Sequence, residues 1–226
     1  MNSAAEFFAL TEAYNVIYWP VHVVTFLLGG AALILALIKA TNADRVISVV
    51  LALLWLWSGV VFLILFFRDL SPTLLGFTPP GFAYASGGLF IIQSILFLYF
   101  GIIRASITYS YEGDPYAIAG IVAIVYAMIV YPLIGYITGH PLPGYPVFGS
   151  APCPVAIYTV GMLLLTNRRM PPLIPVIPLI WGLMGIVAVM VFTVWADVGL
   201  FAAGVLAFAI LRRNAKLPVR TLARPS

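Results

Sequence analysis

One cysteine occurs in the chain, and it stands between two prolines in Ala151-Pro152-Cys153-Pro154. The stretch leading to it begins at Gly139-His140 and carries further glycines at 144 and 149. A proline at the first helical position gives up a donor the helix could not use and presets its backbone angle. Cys153 is therefore a candidate N-cap, its sulfur set against free N–H groups and the positive end of a helix dipole. Discontinuous helices that open into a membrane cavity are a common way for transporters to hold ions. The glycines would let such a loop turn tightly enough to re-enter. The competing reading is a rigid proline-rich loop with a small cysteine packed inside it.

Other side chains with chemistry are few. His140 opens the same stretch, His22 follows Pro20, and Gln93 sits in the middle of the third apolar run. Arg68 and Asp69 close the second run, and Asp197 opens the last. Polar groups at membrane depth are costly, which makes them functional candidates. Cys153, His140, His22 and Gln93, with Pro152 and Pro154, would line a solute or ion route, and Arg68, Asp69 and Asp197 would be its outer-face charges. Tyr131 and Tyr136 lie at a similar depth. Alternatively, His22 and Gln93 bond across helices as packing, and Arg68 and Asp69 anchor at the headgroups.

Cys153 and His140 are the only candidates for a soft metal ion, and Met128, Met162, Met184 and Met190 show no ligand spacing. A Cys153–His140 nucleophile pair lacks a third, orienting group. The chain has no His-Glu-x-x-His, phosphate-binding glycine loop, Gly-x-Ser-x-Gly or paired intramembrane carboxylates. No cofactor is specified, and enzyme chemistry is not favoured.

The elements that must position these residues are membrane helices. Hydrophobic residues make up 63% of the chain and charged ones 8%, against about 25% charged in soluble domains. Runs near 20 apolar residues match a hydrocarbon core of ~30 Å. Spans are expected at 17–38, 46–67, 82–103 and 117–137. The apolar stretch 154–165 offers only ~18 Å of helix, too short to cross alone. Either the preceding loop dips into the membrane, or helix continues upstream through Pro152 and Pro154. Residues 173–211 suffice for two spans, with the turn near 193–197. Ser3 and Glu6 fit a capping box, so 1–16 reads as an interfacial helix or a tail and 212–226 as a basic cytoplasmic tail.

This reading gives a single all-α polytopic bundle of seven spans in the inner membrane, with the N-terminus outside and the C-terminus in the cytoplasm. Charge placement agrees with it. Lys39, Arg45, Arg104, Arg168, Arg169, Arg212, Arg213, Lys216, Arg220 and Arg224 then face the cytoplasm, and only Arg68 lies outside. Basic residues so scattered do not make a nucleic-acid surface. The last span has no lysine for a retinal Schiff base.

From Gly139-His140 through Phe148-Gly149 to Ala151-Pro152-Cys153-Pro154 and on to Leu165, the chain resembles a family of uncharacterised bacterial multi-pass membrane proteins. That family carries a Gly-His…Phe-Gly-Ala-Pro-Cys-Pro pattern, interrupted here by Ser150. The likeness extends to Trp19-Pro20, Ser71-Pro72 and Gln93. It implies the fold and draws attention to the loop, and it names no activity. The leading expectation is a channel or transporter for a small solute or ion, with the Pro-Cys-Pro loop as selectivity element. The alternative is a structural or assembly subunit, whose partners beyond the bilayer would be other membrane subunits or further copies of itself.

Overall fold

The computed structural model describes residues 3–69, 79–215 and 217, all helix and connecting turns apart from one isolated bridge between Tyr109 and Thr166. The Ser71-Pro72 pair, Lys216, Arg220 and Arg224 lie outside the described residues, as does the Ser3 side chain on which the capping box depends.

Helix α1 runs Ser3–Leu37 and breaks helical geometry once, at Tyr18 (φ −106°, ψ 20°). Pro20 explains the break, because its ring displaces the carbonyl one turn back and its missing N–H releases it. The expected interfacial segment is thus the first arm of a kinked helix. That arm is docked on the protein: Phe7 stacks on Phe192 with ring centroids 4.8 Å apart, and Tyr14 is fully buried.

Helix α2 (Ala43–Trp57) widens into π-helical geometry over Ser58–Phe66 and ends in a tight turn, Phe67–Asp69. Helix α3 (Pro79–Leu98) continues as a π turn, Tyr99–Ile103. Helices α4 (Pro115–Val125) and α5 (Tyr131–Ile137) are joined by another π turn, Tyr126–Val130. Asp114 caps α4 by accepting from the Ala117 N–H at 2.7 Å, with Pro115 at the first position. Among the described residues, four continuous helices are long and apolar enough to cross a membrane: Ala4–Leu37, Ala43–Asp69, Pro80–Ile103 and Pro115–Ile137.

The remaining helices are shorter: α6 (Pro152–Leu164), α7 (Val176–Leu183), α8 (Gly185–Phe192) and α9 (Asp197–Asn214). The break between α8 and α9 falls at 193–196, where Thr193 takes a left-handed conformation (φ 56°). Helix α6 is the centre of the molecule. It packs on α4, α7 and α9, and every residue in it except Cys153 is buried. Close packing relies on bare backbone at two crossings. A Cβ on Gly120 of α4 would sit 2.6 Å from the Gly161 carbonyl oxygen of α6, and one on Gly182 of α7 would sit 2.6 Å from the Gly204 nitrogen of α9.

The loop before α6 does not stay at the surface. Asn15 Nδ2 donates to the carbonyls of Pro143 (2.6 Å) and Tyr145 (2.8 Å), while Gly149 lies against Thr25. Ten residues of α1 separate those contacts, about 15 Å of descent at 1.5 Å per residue. Residues 145–151 are buried throughout. Helix α6 is short because the loop covers the rest of its depth.

Candidate functional site

At the loop end of α6, residues from α1, the π extension of α2, α3 and α5 to α9 line one cavity of about 70 Å³. Cys153 faces it, and this is why it alone in α6 escapes burial. The N-cap of α6 is Ala151 (φ −89°, ψ 142°), with Pro152 first and Cys153 second in the helix, which corrects the expectation that Cys153 caps it. The reason is steric. Pro152 disfavours helical geometry at Ala151, so the helix begins at Pro152 itself.

Asp197 lies on the far wall, 1% exposed. Its Oδ1 accepts a hydrogen bond of 2.7 Å from the Tyr131 hydroxyl, and the Cys153 thiol lies beside the same carboxylate. The turn that carries Asp197 is held by two more tyrosines. Tyr126 donates to the Ala196 carbonyl at 2.8 Å, and the Ala196 N–H donates to Tyr145 at 3.4 Å. The indole N–H of Trp181 is buried next to the thiol and meets no oxygen or nitrogen acceptor. Phe7, Phe62, Phe67 and Phe192 supply aromatic walls, and no Lys, Arg or His lines the cavity among the described residues.

The helices that start beside Cys153 and Asp197 leave few N–H groups free for an anion. Pro152 and Pro154 remove two of the first three donors of α6. The first three of α9 are spent on the preceding turn: Asp197 to Val194, Val198 to Trp195 and Gly199 to Ala196, at 2.9 to 3.2 Å. This corrects the expectation of a sulfur set among free N–H groups. The cavity is also mainly apolar, in place of the polar route expected from the sequence.

Residues 4–221 match the family described as a family of unknown function (DUF6064). The chain belongs to that family. No curated protein and no solved structure matches it. DUF6064 membership carries no activity with it, so the site has to be read from its geometry.

The other sequence candidates, Pro152 excepted, lie away from the cavity. His140 stacks on Phe8 with ring centroids 3.7 Å apart, and His22 lies 6.1 Å from the Tyr14 ring. Gln93 is fully buried and donates from Nε2 to the Ile174 carbonyl at 3.0 Å. Arg68 Nε and Asp69 Oδ1 are 3.5 Å apart on exposed side chains. Pro152 lines the cavity, and Pro154 is buried in the first turn of α6. Cys153 and Asp197 are thus the two candidates brought together. Among the described residues no group of three or more His, Cys, Asp or Glu could hold a metal ion. Sequence reasoning missed Trp181 and the phenylalanines, since aromatics inside a continuously apolar run carry no contrast to mark them.

The opposite end of the bundle is polar. Arg213 of α9 pairs with Asp114 at 2.7 Å, donates to the Leu164 carbonyl at 3.1 Å and covers the Tyr116 ring. A second cavity of about 280 Å³ there is bordered by Glu112, which accepts from Lys39 (3.0 Å), Ser110 (2.8 Å) and Asn167 (2.9 Å). Those hydrogen bonds, that from Lys39 foremost, lower the Glu112 carboxyl to about 2.

Proposed function

We propose that the protein is a channel or transporter for a small solute or ion, and that the cavity between Cys153 and Asp197 is its binding site. The observation that carries this is the meeting of three helix ends, of α6, α8 and α9, around one buried carboxylate. Packing alone does not call for such an arrangement. A carboxylate at membrane depth costs several kcal/mol unless it serves a function or finds a partner, and interrupted helices around a cavity are a recurring architecture of transporters. The loop that descends along α1 and delivers Pro152 and Cys153 to the cavity is the selectivity element in this reading.

The short helices α6, the α7–α8 pair and α9 count as spans five to seven, because the buried loop and their central packing make up for their length. The N-terminus then lies outside and the C-terminus in the cytoplasm of an inner-membrane protein. The Glu112–Lys39 end is cytoplasmic and the Cys153 cavity lies toward the outside, as positive-inside placement requires.

Osmotic swelling of proteoliposomes, over a panel of small neutral solutes, cations and anions, tests the reading. At least one solute should enter faster than into protein-free liposomes, and Cys153→Ala or Asp197→Asn should remove the excess. A small thiol reagent added from outside should modify Cys153, and the transported solute should slow that reaction. Entry no faster than the lipid background for every solute would leave the protein as a subunit of some larger complex.

A further inference from the structure

Resting on that reading, we infer that the cavity binds a small alkylammonium cation, held by the Asp197 carboxylate and the surrounding aromatic faces. Three observations choose the charge. Asp197 has no basic side chain across from it among the described lining residues, so no protein cation balances it. Its hydrogen-bond partner is the neutral hydroxyl of Tyr131, with the Cys153 thiol beside it. The walls include Phe62, Phe67, Phe192, Trp181 and Tyr131, and aromatic rings attract an ammonium group through their negative faces.

The same geometry argues against an anion. An anion would need free N–H groups or a basic side chain. Pro152 and Pro154 delete two of the first three α6 donors and those of α9 are already bonded to 194–196, which leaves the Cys153 N–H and the Trp181 indole N–H, too few to offset a carboxylate. It would also face the Asp197 carboxylate directly. A neutral solute can donate a hydrogen bond to the carboxylate, as Tyr131 does, but leaves its charge unbalanced.

Size limits the cation. A cavity of about 70 Å³ is under half the size of a ~150 Å³ cavity that takes benzene, so the occupant has only a few heavy atoms. Methylammonium fits that limit. A buried carboxylate is stable only when something neutralises it, and the cation supplies that neutralisation when it is bound. When the site is empty a proton can do so, which makes proton release on cation binding a natural consequence.

The test is equilibrium binding of radiolabelled methylammonium to the purified full-length protein in detergent. Unlabelled methylammonium, ethanol and acetate serve as competitors. The expected result is saturable binding that methylammonium displaces and ethanol and acetate do not, weakened at least ~10-fold in Asp197→Asn. Trp181→Leu, which keeps the carboxylate and removes one aromatic wall, should weaken binding several-fold, so the test survives if Asp197→Asn fails to fold. No saturable binding to the wild type, equal binding by Asp197→Asn, or displacement by acetate would overturn the inference. Binding without swelling of proteoliposomes would sink the transport reading and leave this site standing. Swelling driven by another solute, without methylammonium binding, would do the reverse.

Discussion

The hydroxyl of Tyr131, at the start of α5, donates a 2.7 Å hydrogen bond to Oδ1 of Asp197, at the start of α9. The two residues are 66 positions apart in sequence and both are buried. Tyr131 reaches the cavity because the π turn before it inserts extra backbone, and each added residue rotates the rest of the helix by about 100°. Phe62 lies within a second π stretch and reaches the same cavity. Two of the three π stretches described therefore lie at or lead into the place where the helices converge, and Tyr99–Ile103 does not.

Tyr131→Phe removes the donor and keeps the ring, so any loss belongs to the hydrogen bond. A buried acceptor left without its partner costs about 1–3 kcal/mol. Thermal unfolding in detergent should show a loss of that order, and under the proposed transport function solute flux should fall with it. An unchanged melting temperature would mean that the carboxylate does not depend on this hydroxyl.

Gly120→Ala tests the packing of the central helix. The new Cβ would lie 2.6 Å from the Gly161 carbonyl oxygen, so α4 and α6 must separate, at about 1–3 kcal/mol for an overpacked contact. Gly30→Ala is the control, because a Cβ there meets nothing within 4 Å. It should be neutral or stabilising, since Ala favours helix over Gly.

Much of the fold is set by length and apolarity. The second, third and fourth spans begin and end within a few residues of where the sequence places them, because continuous apolar runs bounded by Asn42, Pro79 and Asp114 leave little choice. The turn near Thr193 is legible because 173–211 is too long for one span. The depth of the Pro-Cys-Pro loop is legible only as one of two alternatives, since its burial depends on Asn15 and Thr25 in a distant helix. The partners of Cys153 are hidden for a different reason. In a uniformly apolar helix no periodicity tells the lipid face from the cavity face, and π turns shift the register on which such a pattern would rest.

Gln93 illustrates a polar residue whose depth suggests a site and whose contact explains it otherwise. Ile174 stands four residues before Pro178, which has no N–H to return to its carbonyl. Gln93 Nε2 supplies the missing donor. Gln93→Leu should therefore destabilise the protein by about 1–3 kcal/mol and leave solute flux per folded molecule unchanged. Pro178→Ala restores a backbone donor to Ile174, so the cost of Gln93→Leu should shrink in the double variant. A Gln93→Leu protein of normal stability and abolished flux would put Gln93 back in the site.

Glu112 ties three inter-helix connections together at the other end, through Lys39 after α1, Ser110 before α4 and Asn167 after α6. Its carboxyl lies near 2 in the folded protein, against an ordinary value of 4.5. A carboxyl lowered on folding stabilises the protein fully above the ordinary value, and the contribution is lost as pH falls through the folded one. Compared with Glu112→Gln, the wild type should keep a constant advantage in melting temperature from neutral pH down to about 4.5, then lose it progressively toward 2. High salt should shrink the advantage at every pH, because the Lys39–Glu112 pair is exposed to solvent. A gap that stays constant from pH 4.5 down to 2 would show that Glu112 titrates normally in the folded protein and that the three donors do not lower it.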